Sequence, residues 1–194
     1  MTIKEIIDNV DDLKPNAFSY EQKTRWISDL EGQIQAEIHL IAPPDIVKYV
    51  WHKEVTVTGV TFPSGRTMQL PEEVDFPDFG RVTIEGLATY ADNNGTFDLR
   101  GSAGDKLIFD DGTFTAGNAL ESGEVKITYD GSGVQTICNP PHEKLYIYYL
   151  LAMIDFHNGE YDRYANTLEM FNSMYSAYCK WFTHHYDPGT GACF

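Results

Sequence analysis

Residues 140–186 read PPHEKLYIYYLLAMIDFHNGEYDRYANTLEMFNSMYSAYCKWFTHHY, and their periodicity decides the fold class. Asn158-Gly159 is a helix stop and turn. The stretch therefore predicts one helix from after Pro140-Pro141 to near His157, and a second from Glu160 to Tyr186. In the second, Tyr161, Tyr164, Leu168, Phe171, Tyr175, Tyr178 and Phe182 recur at spacings of three and four. They form one stripe of a helix about six turns long. A second row, Met170, Met174, Ala177 and Trp181, has the same spacing and lies roughly 110° around the helix from the first. Asp162, Asn166, Glu169, Asn172, Ser173, Ser176 and Lys180 fill the remaining arc. About half the circumference asks for burial, more than one core contact takes.

The preceding helix is apolar all round from Leu145 to Ile154, as the central helix of a bundle is. It should cover the first stripe. The second row then has no evident partner in its own chain, so Met170, Met174, Ala177 and Trp181 are expected to form a subunit interface. The alternative cover is the middle of the chain folding back.

At the other end, Ile3, Ile6, Ile7 and Val10 share one face of a short helix, broken by Leu13-Lys14-Pro15-Asn16. Ser19 with Gln22 three residues on is a capping-box pattern. It opens a second helix with the stripe Ile27, Leu30, Ile34, Ile38 and Ile41, expected to run to Pro43-Pro44.

From His52 to Cys138 the texture changes: 12 of the 16 glycines lie here. Short strand-like runs are expected at 54–58, 67–70, 81–85, 96–99, 106–109, 113–115, 124–129 and 134–137. Val82, Ile84, Val125, Ile127 and Tyr129 alternate with polar residues, the two-residue period of a half-buried strand. Asn93-Asn94-Gly95, Asp110-Asp111-Gly112 and Asp130-Gly131 suit tight hairpins. The expected fold class is α+β: a helical bundle of about four helices interrupted by an antiparallel β-sandwich or barrel-like insertion. The helical core takes 1–51 and 139–194, and the β-rich inserted domain takes 52–138.

The net charge of −15, from 14 Lys and Arg against 29 Asp and Glu, argues against binding to a phosphate backbone or an anionic membrane surface. Three scattered cysteines are no disulfide framework. The acidic amphipathic start is not a signal peptide, and the longest apolar run, ten residues, is too short to span a bilayer. A cytoplasmic origin is expected.

Cys179, His184, His185 and Cys193 come nearest to a metal cluster, but zinc sites use close pairs such as C-x-x-C, which the chain lacks. A helix end with exposed histidines is the better reading. Asp92-Asn93-Asn94-Gly95-Thr96-Phe97-Asp98 faintly resembles a calcium loop, yet Phe97 and Ala103 stand where an EF-hand needs Gly and Glu; a turn is preferred. Ser64, Ser102 and Ser132 lack a G-x-S-x-G frame, and there is no phosphate-cradling glycine loop. His39, His142 and His157 adjoin helix ends. No metal, cofactor or catalytic residue is expected.

The segments TIKEIIDNVDDLKPNAFSYEQKTRWISDLEGQIQAEI (residues 2–38) and PPHEKLYIYYLLAMIDFHNGEYDRYANTLEMFNSMYSAYCKWF (140–182) resemble the two halves of head–tail connector proteins, also called adaptor or head-completion proteins, of tailed phages and prophages. The phrases Glu143-Lys144-Leu145-Tyr146 and Asn158-Gly159-Glu160-Tyr161-Asp162-Arg163-Tyr164-Ala165-Asn166 carry it. The resemblance implies a helical bundle that assembles as a homo-oligomeric ring, often of twelve copies, in the virion neck. It would join portal to tail or stopper proteins, with DNA passing through the lumen. The β-rich insertion departs from the pattern, since typical members have a short connection there. It could brace neighbouring subunits, decorate the ring or contact the tail. The rival expectation is a carbohydrate- or cell-surface-binding module on that insertion, presenting Phe79, Tyr90, Phe97 and Phe114.

Overall fold

The computed structural model describes residues 1–41 and 46–186. The chain divides into two compact units, Met1–Tyr49 with Gln135–Phe194, and Val50–Val134.

The first unit is helical. Helix α1, Ile3–Leu13, opens with a complete capping box: the Thr2 hydroxyl accepts from the Glu5 N–H, and the Glu5 carboxylate accepts from the Thr2 N–H. It buries Ile3, Ile6, Ile7 and Val10, the i, i+3, i+4, i+7 face of a one-sided helix. Helix α2, Tyr20–Glu37, starts at Ser19, whose hydroxyl accepts from the Gln22 N–H at 3.2 Å. It ends six residues before Pro43. Leu40 adopts φ +57° and the Ile41 N–H reaches back to the Gln35 carbonyl at 2.9 Å, so Ile38 and Ile41 leave the helical stripe. Pro43 and Pro44, expected to stop this helix, lie outside the described residues.

Helix α3, Lys144–His157, packs on α1, α2 and α4, Tyr161–Tyr186. It buries Leu145, Tyr146, Leu150, Ala152 and Ile154. Helices α3 and α4 run antiparallel, with Phe156 against Tyr164, Tyr149 against Phe171 and His142 against Tyr178. Two buried charges are paired: Lys23 Nζ reaches both Asp11 oxygens at 2.6 and 2.7 Å, and Asp155 pairs with Lys14, which offsets the cost of burying them.

The second unit is one seven-stranded antiparallel sheet: β1 His52–Ser64, β2 Thr67–Gln69, β3 Gly80–Glu85, β4 Gly95–Leu99, β5 Gly101–Ala103, β6 Lys106–Ile108 and β7 Gly117–Asp130, in the order β4-β3-β7-β1-β2-β6-β5. The expected sandwich or closed barrel does not form; the sheet is open. The reason is β1. It pairs with β7 from His52 to Phe62 and with β2 from Thr61 to Ser64, so β1 joins the strands on its two sides into one hydrogen-bonded order. β1 turns its apolar phase at Gly59, φ +87°, where the register shifts. That bulge brings Val57, Val60 and Phe62 to one buried face although they do not alternate. The edge strands β4 and β5 do not pair with each other, though Arg100 alone separates them in the chain.

Several strand and turn expectations fail with it. Residues 113–115 and 134–137 form no strand, Gln135 keeping one isolated bridge to Thr2. The tight reversals are Gly65-Arg66 between β1 and β2 and Gly104-Asp105 between β5 and β6. The core of this unit runs from Val57 to Tyr129 and includes Phe62, Phe109 and Phe114.

Candidate functional site

Helix α4 is about 39 Å long at 1.5 Å per residue, and α3 covers one side of it. Phe171 and Tyr178 are buried on that side. Tyr161, at the head of the same stripe, is 65% exposed, because α3 ends in the turn opposite it.

The second row divides. Met170 is 46% exposed, Ala177 is exposed, and Met174 is half-buried. Trp181 is half-buried, with its ring 5.2 Å from that of His142 and 5.0 Å from that of His185. The row therefore does have a partner in its own chain at its last member, which the approach to α3 supplies.

Beside the row runs a groove of about 600 Å³. Its floor is Leu13 at the end of α1 and Ile147, Tyr148 and Leu151 of α3; its α4 wall is Arg163, Asn166 and Thr167. Lys14, Lys144 and Asp155 complete the lining. Arg163 and Thr167 fall in the same angular sector of α4 as Met170 and Met174, three or four residues apart in steps. Groove and apolar row are thus continuous along one flank of the helix.

The electrostatics of the groove are local. Asp155 is buried, paired with Lys14 and accepting from the Thr167 hydroxyl at 2.8 Å. Glu160 bridges Lys14 at 3.0 Å and Arg163 at 2.8 Å, and the Lys14 side chain beside it holds its carboxyl below the usual range. Lys144 makes no hydrogen bond or ion pair among the described residues and sits in the first turn of α3, where the helix dipole disfavours a cation.

Two further clusters were not anticipated. Glu31 of α2 is fully buried. One carboxylate oxygen accepts from the Tyr146 hydroxyl at 2.5 Å and the Ile137 N–H at 2.9 Å, while the other has no partner. Burial pushes this carboxyl up to about 7 against those two donors. The adjacent Cys138 thiol is pushed up to about 12, also by burial. The signal lay in the sequence: Glu31 falls four residues after Ile27 and three before Ile34, inside the apolar stripe. The second cluster surrounds Tyr178. Its hydroxyl and His39 Nε2 are hydrogen-bonded at 2.7 Å, His39 stacks on Phe182 at 4.2 Å, and the His142 ring lies 5.4 Å away. Burial lowers the pKa of both histidines.

The remaining candidates are accounted for locally. His184 and His185 are exposed, and His185 Nδ1 bonds to the Trp181 carbonyl at 2.8 Å. Cys179 is buried on α4, and Cys193 lies outside the described residues. Among the described residues no three His, Cys, Asp or Glu side chains converge as a metal set. In the calcium-like loop, Asn93 is buried and bonds both the N–H and the carbonyl of Thr115, while Asn94 does the same to Leu87. Those amides are spent on backbone. His157 stacks on Trp26 at 5.0 Å. Of the four aromatics expected on a carbohydrate platform, Phe79 is exposed, but Phe114 is buried and Phe97 packs on it at 5.1 Å. The Tyr90 ring lies 5.1 Å from Phe62. Phe114 thus belongs to the core, Phe97 and Tyr90 pack against it half-buried, and Phe79 alone of the four is exposed.

No helix among the described residues is long and apolar enough to cross a membrane. No protein-family model matches the chain, and no curated protein matches its sequence.

Proposed function

We propose that the chain is a structural, non-enzymatic subunit of a ring at the head–tail junction of a tailed phage or prophage, bridging portal and tail with DNA passing through the lumen. The observation that carries this reading is the flank of α4. A 26-residue helix leaves Met170 and Ala177 exposed beside an apolar-floored groove, a surface suited to a neighbouring subunit. The resemblance of residues 2–38 and 140–182 to connector proteins supplies the identity of the assembly. The charge of −15, repeated around a ring, would repel the DNA backbone and let it slide.

Mixing the purified chain with a purified portal protein and imaging the product by electron microscopy tests the reading. A ring seated coaxially on the portal is the expected product. Separate portals and free chain would refute it.

A further inference from the structure

Lys14, Lys144 and Arg163 stand on one groove with two acids, Asp155 paired with Lys14 and Glu160 paired with Lys14 and Arg163, so cations keep a local surplus, carried by Lys144, in a chain whose acidic residues outnumber its basic ones two to one. The floor between them is apolar: Ile147, Tyr148 and Leu151 lie on one stripe of α3, each half-buried. Such a trough between two antiparallel helices accepts a third helix that offers small side chains to the floor and acids to the rim.

The chain itself supplies a matching helix. On the side of α4 turned away from α3, Asp162, Ala165, Glu169 and Ser173 are all exposed. They follow one another at spacings of three and four, hence one stripe. The two acids are seven residues apart, about 10 Å along the axis, and Lys144 stands about 16 Å along α3 from the end of the groove near Arg163. The long stems of Lys and Arg make up the difference.

We propose that the groove is the acceptor half of a copy-to-copy contact, and that its occupant is the Asp162–Ser173 face of α4 from a second copy of this chain. The proposal rests on the ring reading and names the surfaces that would build it. The two halves are different surfaces, so the contact is heterologous: each copy offers a donor face to one neighbour and a groove to the other, and the series closes when the rotation permits.

A charge-reversal mixing experiment tests it by sedimentation velocity, with circular dichroism confirming that each variant is folded. The groove variant is Lys144→Glu with Arg163→Glu, and the donor variant is Asp162→Lys with Glu169→Lys. All four side chains are exposed. Each variant alone is expected to assemble at least tenfold more weakly than the wild type. Mixed one to one, the two should recover assembly, because every contact is then either wild type or doubly reversed. If the wild type assembles and both variants assemble equally well, this contact is wrong while the ring reading stands. Two weakened variants that fail to rescue each other also overturn the pairing. A wild-type chain that stays monomeric with and without portal overturns both.

Discussion

The Glu31 carboxylate receives the Tyr146 hydroxyl at 2.5 Å in a fully buried position, and no cation among the described residues pairs with it. The bond ties α2 to α3, and the Ile137 N–H on the same oxygen ties in the segment before α3. The other oxygen is orphaned. This arrangement tolerates a neutral acid and resists a charged one.

Stability of the helical unit should therefore fall as pH rises from 4.5 to about 7. Below 4.5 the Glu31 carboxyl is protonated in both folded and unfolded chains and costs nothing. Between 4.5 and about 7 the unfolded chain ionises while the fold holds the proton, so stability drops; above about 7 the loss is complete. Its full size is about 3 kcal/mol. Glu31→Gln should remove this dependence, adding about 1–3 kcal/mol at pH 8 and little at pH 5. Urea melts of both proteins at the two pH values measure it. Equal differences at both would show that Glu31 does not titrate in the fold.

His39 and His142 should give the opposite slope. Burial lowers both, so the unfolded chain takes up protons that the fold refuses. Their contribution is present above 6.5 and is lost as pH falls through the lowered values. In the Glu31→Gln background this limb stands alone between pH 7 and 5.5, and the urea midpoint should fall across that window. A flat midpoint would remove the two rings from the account.

Neighbouring residues on α4 should respond differently to truncation. Phe171, 9% exposed, lies against Tyr149 at 5.3 Å; Phe171→Ala should cost about 3 kcal/mol of fold stability. Met170→Ala should stay within about 0.5 kcal/mol. Chemical denaturation at low concentration separates the two. Similar losses would mean that the flank is core rather than surface.

The β unit carries its own check. Asn93→Ala strands the N–H and carbonyl of Thr115 and should lower stability by about 1–3 kcal/mol. Calcium should not change the melting temperature of the wild type, since the loop's amides are already occupied. A calcium-dependent rise would reopen the cation reading.

The helical parts were legible because their signals are local: Ser19, Asn158-Gly159 and the three–four spacings of α1 and α4 fix where helices start, stop and face. Thr2 and Glu5, the capping box of α1, are an equally local signal. The sheet was not legible in the same way. Alternation at Val82 and Ile84 says that a strand is half-buried, not how many sheets share it. The bulge at Gly59, readable only as a jump from Val57 to Val60, joins both halves through β1. The partner of Trp181 was hidden for a related reason. Helical spacing places Trp181 on a flank of α4, but the approach of His142 depends on how the chain enters α3. The groove, too, draws on α1, α3 and α4 together, and no single stretch announces it.

Native mass spectrometry of the purified chain at neutral pH, alone and with a portal protein, addresses assembly most directly. The account predicts a closed oligomer of one defined copy number, alone or joined to the portal. A chain that is strictly monomeric and leaves the portal unbound would contradict it.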